Sequence, residues 1–110
     1  MPTFQSAKDG DRIILKVTGE MDAHTAPQLD KALKDAIAQS AKVILDVSQM
    51  TYIATAALGV LMANHNTVKT KGGKIVICGM QEKIKKVFDT MGFSKVFSVV
   101  SSLDEAKKLL

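Results

Sequence analysis

Tryptophan is absent from these 110 residues, and four Phe and one Tyr are the only other aromatics, so the core has to be built from Val, Ile, Leu, Ala and Met. Such side chains fit a compact α/β packing, and 46% hydrophobic content in a chain of this length is enough for one domain, residues 1–110. Cysteine occurs once. Cys78 can form no intramolecular disulfide and excludes a four-cysteine zinc site, and within IVICG, with no His or Arg beside it, it reads as an inert buried thiol. Arginine also occurs once, as Arg12, although Lys plus Arg number fifteen against eleven acids for a net charge of +4. Readers of nucleic acid rely on the bidentate guanidinium, so a surplus made of lysine argues against direct DNA binding and fits solvated helix faces. The two histidines, His24 and His65, belong to no HExxH pattern, and GxSxG and GxGxxG loops are missing, so neither an enzyme nor a bound cofactor or metal is expected. No apolar stretch approaches the length of a membrane span, and MPTFQSAKDGDR lacks the basic-then-apolar order of a signal peptide. The expectation is a cytoplasmic protein.

What is present alternates between strand and helix patterns. TFQSAK and DRIILKVTG flank the turn dipeptide Asp9-Gly10 as a hairpin, with Ile13, Leu15 and Val17 on one face. Thr25 followed by Gln28 predicts a capping box opening a helix to about Ser40, with Ala26, Leu29, Leu33, Ala36 and Ile37 on its buried face. KVILDV, Lys42 to Val47, reads as a central strand covered on both sides. A second helix runs to Lys71 with Leu58, Leu61, Met62, His65 and Val68 as its stripe, and Gly72-Gly73 stops it. KIVIC is the next strand. QEKIKKVFDTMG places Ile84, Val87, Phe88 and Met91 on one buried stripe, KVFSVV extends, and Ser102 with Glu105 caps a last helix. The predicted order is β-β-α-β-α-β-α-β-α, a mixed sheet with a parallel core flanked by four helices.

Functional loops in such folds collect where strands run into helices. Asp22, in GEMDAHT, lies in one such loop, where it is either functional or simply a turn former, and His24 beside it is a loop residue. The other loop lies in YIATAALGVL. Thr55 supplies its one hydroxyl and is expected to cap the second helix.

GEMDAHTAPQL, VILDVSQMTYI, LGVLMANHNTVKTKGGKIVICGM and VFDTMGFSKVF together resemble the STAS domain of the anti-sigma factor antagonist (anti-anti-sigma factor) family, over residues 4 to 110. The resemblance implies a STAS-type mixed sheet flanked by helices. It also implies a bacterial transcription regulator that docks on an anti-sigma factor serine kinase, or a related regulatory protein, and releases a sigma factor by partner switching. In that family the turn after the central strand reads D-S-S-G-L-G or D-S-A-G-L-G, and its phosphorylated serine turns docking off. The matching residues here are Ala54, Thr55, Ala56, Ala57, Leu58 and Gly59, so the phosphoserine position is Ala56, which has no hydroxyl. Thr55, one residue earlier, is a candidate substitute phosphoacceptor. The expected partner surface comprises Asp22, His24, Thr25, Tyr52, Ala54, Thr55, Ala56, Ala57 and Leu58, within which Tyr52, Ala54, Ala56 and Ala57 make a flat apolar surface suited to protein contact. Two other readings remain open. One is a STAS scaffold or accessory subunit of a multiprotein assembly or lipid transporter, and the other is an anion binder at the same helix N-terminus.

Overall fold

A computed structural model describes residues 2–110. Among them the chain forms β1 (Thr3–Asp9), β2 (Arg12–Met21), α1 (Ala26–Gln39), β3 (Lys42–Ile53), α2 (Thr55–Thr70), β4 (Lys74–Cys78), α3 (Glu82–Thr90), a 3-10 turn (Phe93–Lys95), β5 (Ser98–Val100) and α4 (Leu103–Leu109). The strands lie in one sheet in chain order. β1 and β2 are an antiparallel hairpin closed by Gly10 and Asp11, with Gly10 at φ 64°, and every later pair is parallel. This is the expected α/β architecture with its parallel core.

The two faces of the sheet are covered unequally. Ile13, Leu15 and Val17 of β2 and Val43, Leu45 and Val47 of β3 join the buried stripes of α1, α2 and α3 in one large cluster. On the opposite face α4 packs, with Ala106 against Ile44, Val76 and Cys78. Cys78 is buried there, and burial together with Asp46 pushes its thiol up to about 11, which leaves it unreactive. All five residues expected on the buried face of α1 are buried. A buried polar contact locks α1 to α2, with Asn64 Nδ2 donating to Asp30 Oδ1 at 2.9 Å. Asn64 was not among the residues expected on the buried stripe of α2, yet it is buried there, while Met62 and His65 of that stripe are only half-buried.

β3 runs six residues beyond the expected Val47, to Ile53. Its pairing with β2 slips twice, from Lys16↔Asp46 to Thr18↔Gln49 and from Gly19↔Met50 to Glu20↔Tyr52, each time with one extra residue on β3. The buried positions therefore pass from Val47 to Met50 to Ile53, a spacing that hides the strand from a period-two pattern and turns Tyr52 outward. α2 stops as expected: Gly72 adopts φ 76°, and the Gly73 N–H donates back to Val68 O at 2.9 Å. The stripe of α3 is only half covered. Ile84 and Phe88 are buried, whereas Val87 and Met91 are exposed at 38% and 50%. KVFSVV divides into the end of the 3-10 turn and a strand of three residues. Ser102 accepts from the Glu105 N–H at 3.2 Å, as its capping role requires.

Candidate functional site

β2 and β3 are adjacent and parallel, so the turns that follow them emerge side by side, and the Ala54 N–H donates to Met21 O at 2.8 Å across the gap. In the first turn, Asp22 Oδ1 accepts from the Thr25 N–H, and Thr25 Oγ1 accepts from the Asp22 N–H, both at 2.9 Å. This is the reciprocal exchange of a capping box, set between Asp22 and Thr25 rather than between Thr25 and Gln28. Thr25 makes no capping bond to α1 with its side chain, and its backbone is already helical at φ −92°, ψ −11°. The hydroxyl also reaches Glu20 O at 3.1 Å, and the residue is 6% exposed. Thr25 therefore holds the turn from inside and offers no contact surface. The Thr25 N–H holds the half-buried Asp22 carboxyl below the usual carboxylate range. His24 is exposed beside it.

The second turn is built differently. The N-cap of α2 is Ala54, extended at φ −97°, ψ 165°, and no side chain caps this helix. Its carbonyl accepts from the Leu58 N–H at 3.1 Å. Thr55 is already the first helical residue, so the expected Thr55 cap is corrected: its side chain is exposed and free of any capping bond. Ala57 and Leu58, expected at the surface, are 0% and 2% exposed and belong to the core, because they occupy the stripe of α2 that faces the sheet. Tyr52 belongs to the last residues of β3 rather than to a loop, and is half exposed at 50%. What remains outward is Tyr52, Thr55 and Ala56, with Ala54 half-buried between them.

Ala56, Gly59 and Ala63 then follow one another at helical spacing, all exposed, so the first two turns of α2 present almost bare backbone. Gly59 matters here. A Cβ placed on it would meet nothing within 4 Å, and its φ is not left-handed, so nothing among the described residues requires a glycine. A glycine in mid-helix nevertheless costs about 0.5–1 kcal/mol relative to alanine. Burial alone did not mark this residue in the sequence, since its signal is a small side chain on the solvent side of a helix.

His65 lies partly buried with its ring edge-on to Phe97 at a centroid distance of 4.9 Å, and burial, followed by Lys69, pushes its pKa down. Among the described residues no group of three or more His, Cys, Asp or Glu is placed to hold a metal ion, and no helix is long and apolar enough to cross a membrane.

The family model of the STAS domain matches residues 4–106. An anti-sigma-B factor antagonist of Listeria monocytogenes is 26% identical over 93 residues, 84% of this chain and 82% of the relative. The crystal structure of an anti-sigma factor antagonist from Mycobacterium paratuberculosis superposes with a TM-score of 0.90 at 21% identity, over 99% of this chain and 93% of that one. The Bacillus cell fate determinant SpoIIAA in its phosphorylated form gives 0.74 at 17% identity, over 96% and 97%. Both solved structures share the fold with this chain.

Proposed function

The chain belongs to the STAS domain family, and from that premise we propose that it is a partner-binding regulator of the anti-sigma factor antagonist type, docking through the first two turns of α2 on a serine-kinase anti-sigma factor. The reading takes its partner class from relatives that carry the name anti-sigma factor antagonist. It takes its surface from Gly59: a helix that gives up stability for a bare face without any internal need is suited to close approach by another molecule. Tyr52 and Thr55 border that face and Ala56 lies within it. Binding rather than catalysis is its work, and the protein acts in the cytoplasm.

Ala56 stands where the resemblance places the regulatory phosphoserine. A phosphate there would sit well against the helix N-terminus but would put nearly two negative charges into the interface, and a methyl group cannot acquire it. The protein is thus held in the binding-competent form, and switching passes to the partner's abundance or to Thr55, whose exposed hydroxyl is no longer reserved for capping.

The test begins with capture of the partner from native lysate on the immobilised chain and its identification by mass spectrometry. An anti-sigma factor kinase is the expected catch, and transporter or scaffold subunits in its place would favour the accessory-subunit reading. Incubation with that kinase and ATP should leave residue 56 unmodified and should phosphorylate Ala56→Ser, as mapped by peptide mass. An Ala56→Ser protein that binds the kinase yet gains no phosphate would overturn the proposed match of position 56.

A further inference from the structure

Beside the α2 turn, the end of β3 and the side of α3 enclose a groove of about 230 Å³ lined by Thr51, Tyr52, Ile53, Lys83, Ile84 and Val87. The apolar strip continues down α3 through Val87 to Met91, and with Tyr52 these make up three of the five large hydrophobic residues exposed among the described residues, the others being Val96 and Leu109. Their exposure follows from the geometry of α3. Ile84 and Phe88 are buried in the core, so Val87 and Met91, one helical step round, are left exposed, Val87 beside the end of β3.

Two lysines of α3 border this strip. Lys83 lines the groove and Lys86 lines its continuation beside Val87, Thr90 and Met91, and neither is ion-paired among the described residues. Of the acids of the helix, Glu82 lines a separate cleft with Lys85 beside β5, and Asp89 hydrogen-bonds Ser94. The groove therefore combines an apolar floor with a lysine at its edge that makes no ion pair among the described residues, and a second such lysine borders the continuing strip. A groove at the end of β3 that runs on into an apolar strip along α3 suits a helix laid in it, whose apolar residues recur every third or fourth position. Complementarity fixes the remaining face as acidic.

We propose that the groove between the end of β3 and α3 docks an acidic amphipathic helix of a partner protein. Only Tyr52 belongs to both this groove and the α2 face, so the inference goes beyond the α2 docking surface and stands or falls without it.

The probe is a synthetic helix of about four turns with leucine at every third or fourth position and glutamate between, compared with a glutamine version and a lysine version. Titration into isotope-labelled protein, followed by amide NMR, should move the signals of Tyr52, Ile84, Val87 and Met91, with the acidic peptide binding best and weakening as salt is raised. Lys83→Glu with Lys86→Glu should weaken it about tenfold and improve the lysine version, and Val87→Asp should remove both, with unchanged melting in each variant. Equal affinity for the three peptides, or shifts spread over other lysine faces, would overturn the proposal. So would saturation of the same amides by anionic phospholipid vesicles when the acidic peptide leaves them unmoved, which would make the strip a membrane surface. Concentration-dependent shifts at the groove in protein alone would assign it to a second copy of the chain and would equally overturn it.

Discussion

Two turns stand side by side at the carboxyl ends of β2 and β3, and each leads through a threonine into a helix, yet they handle their polar groups in opposite ways. In the first, the Asp22 and Thr25 side chains bond each other's backbone N–H, and Thr25 is buried. In the second, an alanine caps α2, the threonine hydroxyl faces solvent, and the helix goes on through Ala56 and Gly59 with little side chain at all. The pair separates a turn that stabilises itself from one that is left open to another molecule. A hydroxyl just before a helix is consistent with both, and only the register of the helix start distinguishes them.

Substitutions break this comparison at different points. The largest effect on stability belongs to the first turn. Thr25→Ala leaves the half-buried Asp22 N–H without its acceptor, so a loss of about 1–1.5 kcal/mol is expected in urea melts, and Thr25→Ser should keep most of the parent's stability. Next comes Gly59→Ala, which removes the glycine penalty from the second turn and should stabilise the fold by about 0.5–1 kcal/mol, since the added methyl meets nothing. A loss of stability instead would mean that glycine is needed by the fold itself.

Acid sharpens the contrast further. The Asp22 carboxyl titrates lower in the folded chain than in the unfolded one. Its stabilising contribution is therefore complete above the ordinary carboxylate pKa of about 4 and is lost as pH falls through the lower folded value. Asp22→Asn should flatten that part of the acid limb in urea melts followed against pH. Ala56 variants without charge should leave it unchanged, because the second turn holds no carboxylate. The smallest effect is expected at Thr55. With no capping bond to lose, Thr55→Ala should lie within about 0.5 kcal/mol of the parent, and a loss near 1 kcal/mol would restore the capping role.

Much of this was legible in the residues. The hairpin at Asp9-Gly10, the five buried positions of α1 and the Gly72-Gly73 stop follow from local patterns that tertiary packing leaves intact. Three features resisted for physical reasons. The two bulges shift the buried positions of β3 to every third residue, which erased its second half and made Tyr52 look like a loop residue. The capping bonds of the first turn moved three residues upstream, because Asp22 accepts as well as Thr25 does and lies nearer the strand end. Val87 and Met91 continue an apolar stripe, and a stripe does not reveal whether another element reaches far enough to cover it. In the candidate site, the same helical periodicity that marked Leu58 as apolar also buries it and Ala57, which leaves Tyr52, Thr55 and Ala56 of the expected β3–α2 patch outward, with Ala54 half-buried between them, and adds Gly59.

The claim that the second turn is open for a partner is tested most directly by calorimetric binding of the captured partner to Ala56→Asp. A carboxylate in the first turn of α2 is favoured by the helix dipole, so the fold should melt at or above the parent's temperature. In the interface the same charge has to be desolvated, at a cost of several kcal/mol, and binding should fall below detection. Undiminished affinity of the folded variant would contradict the account and remove the α2 turn from the interface.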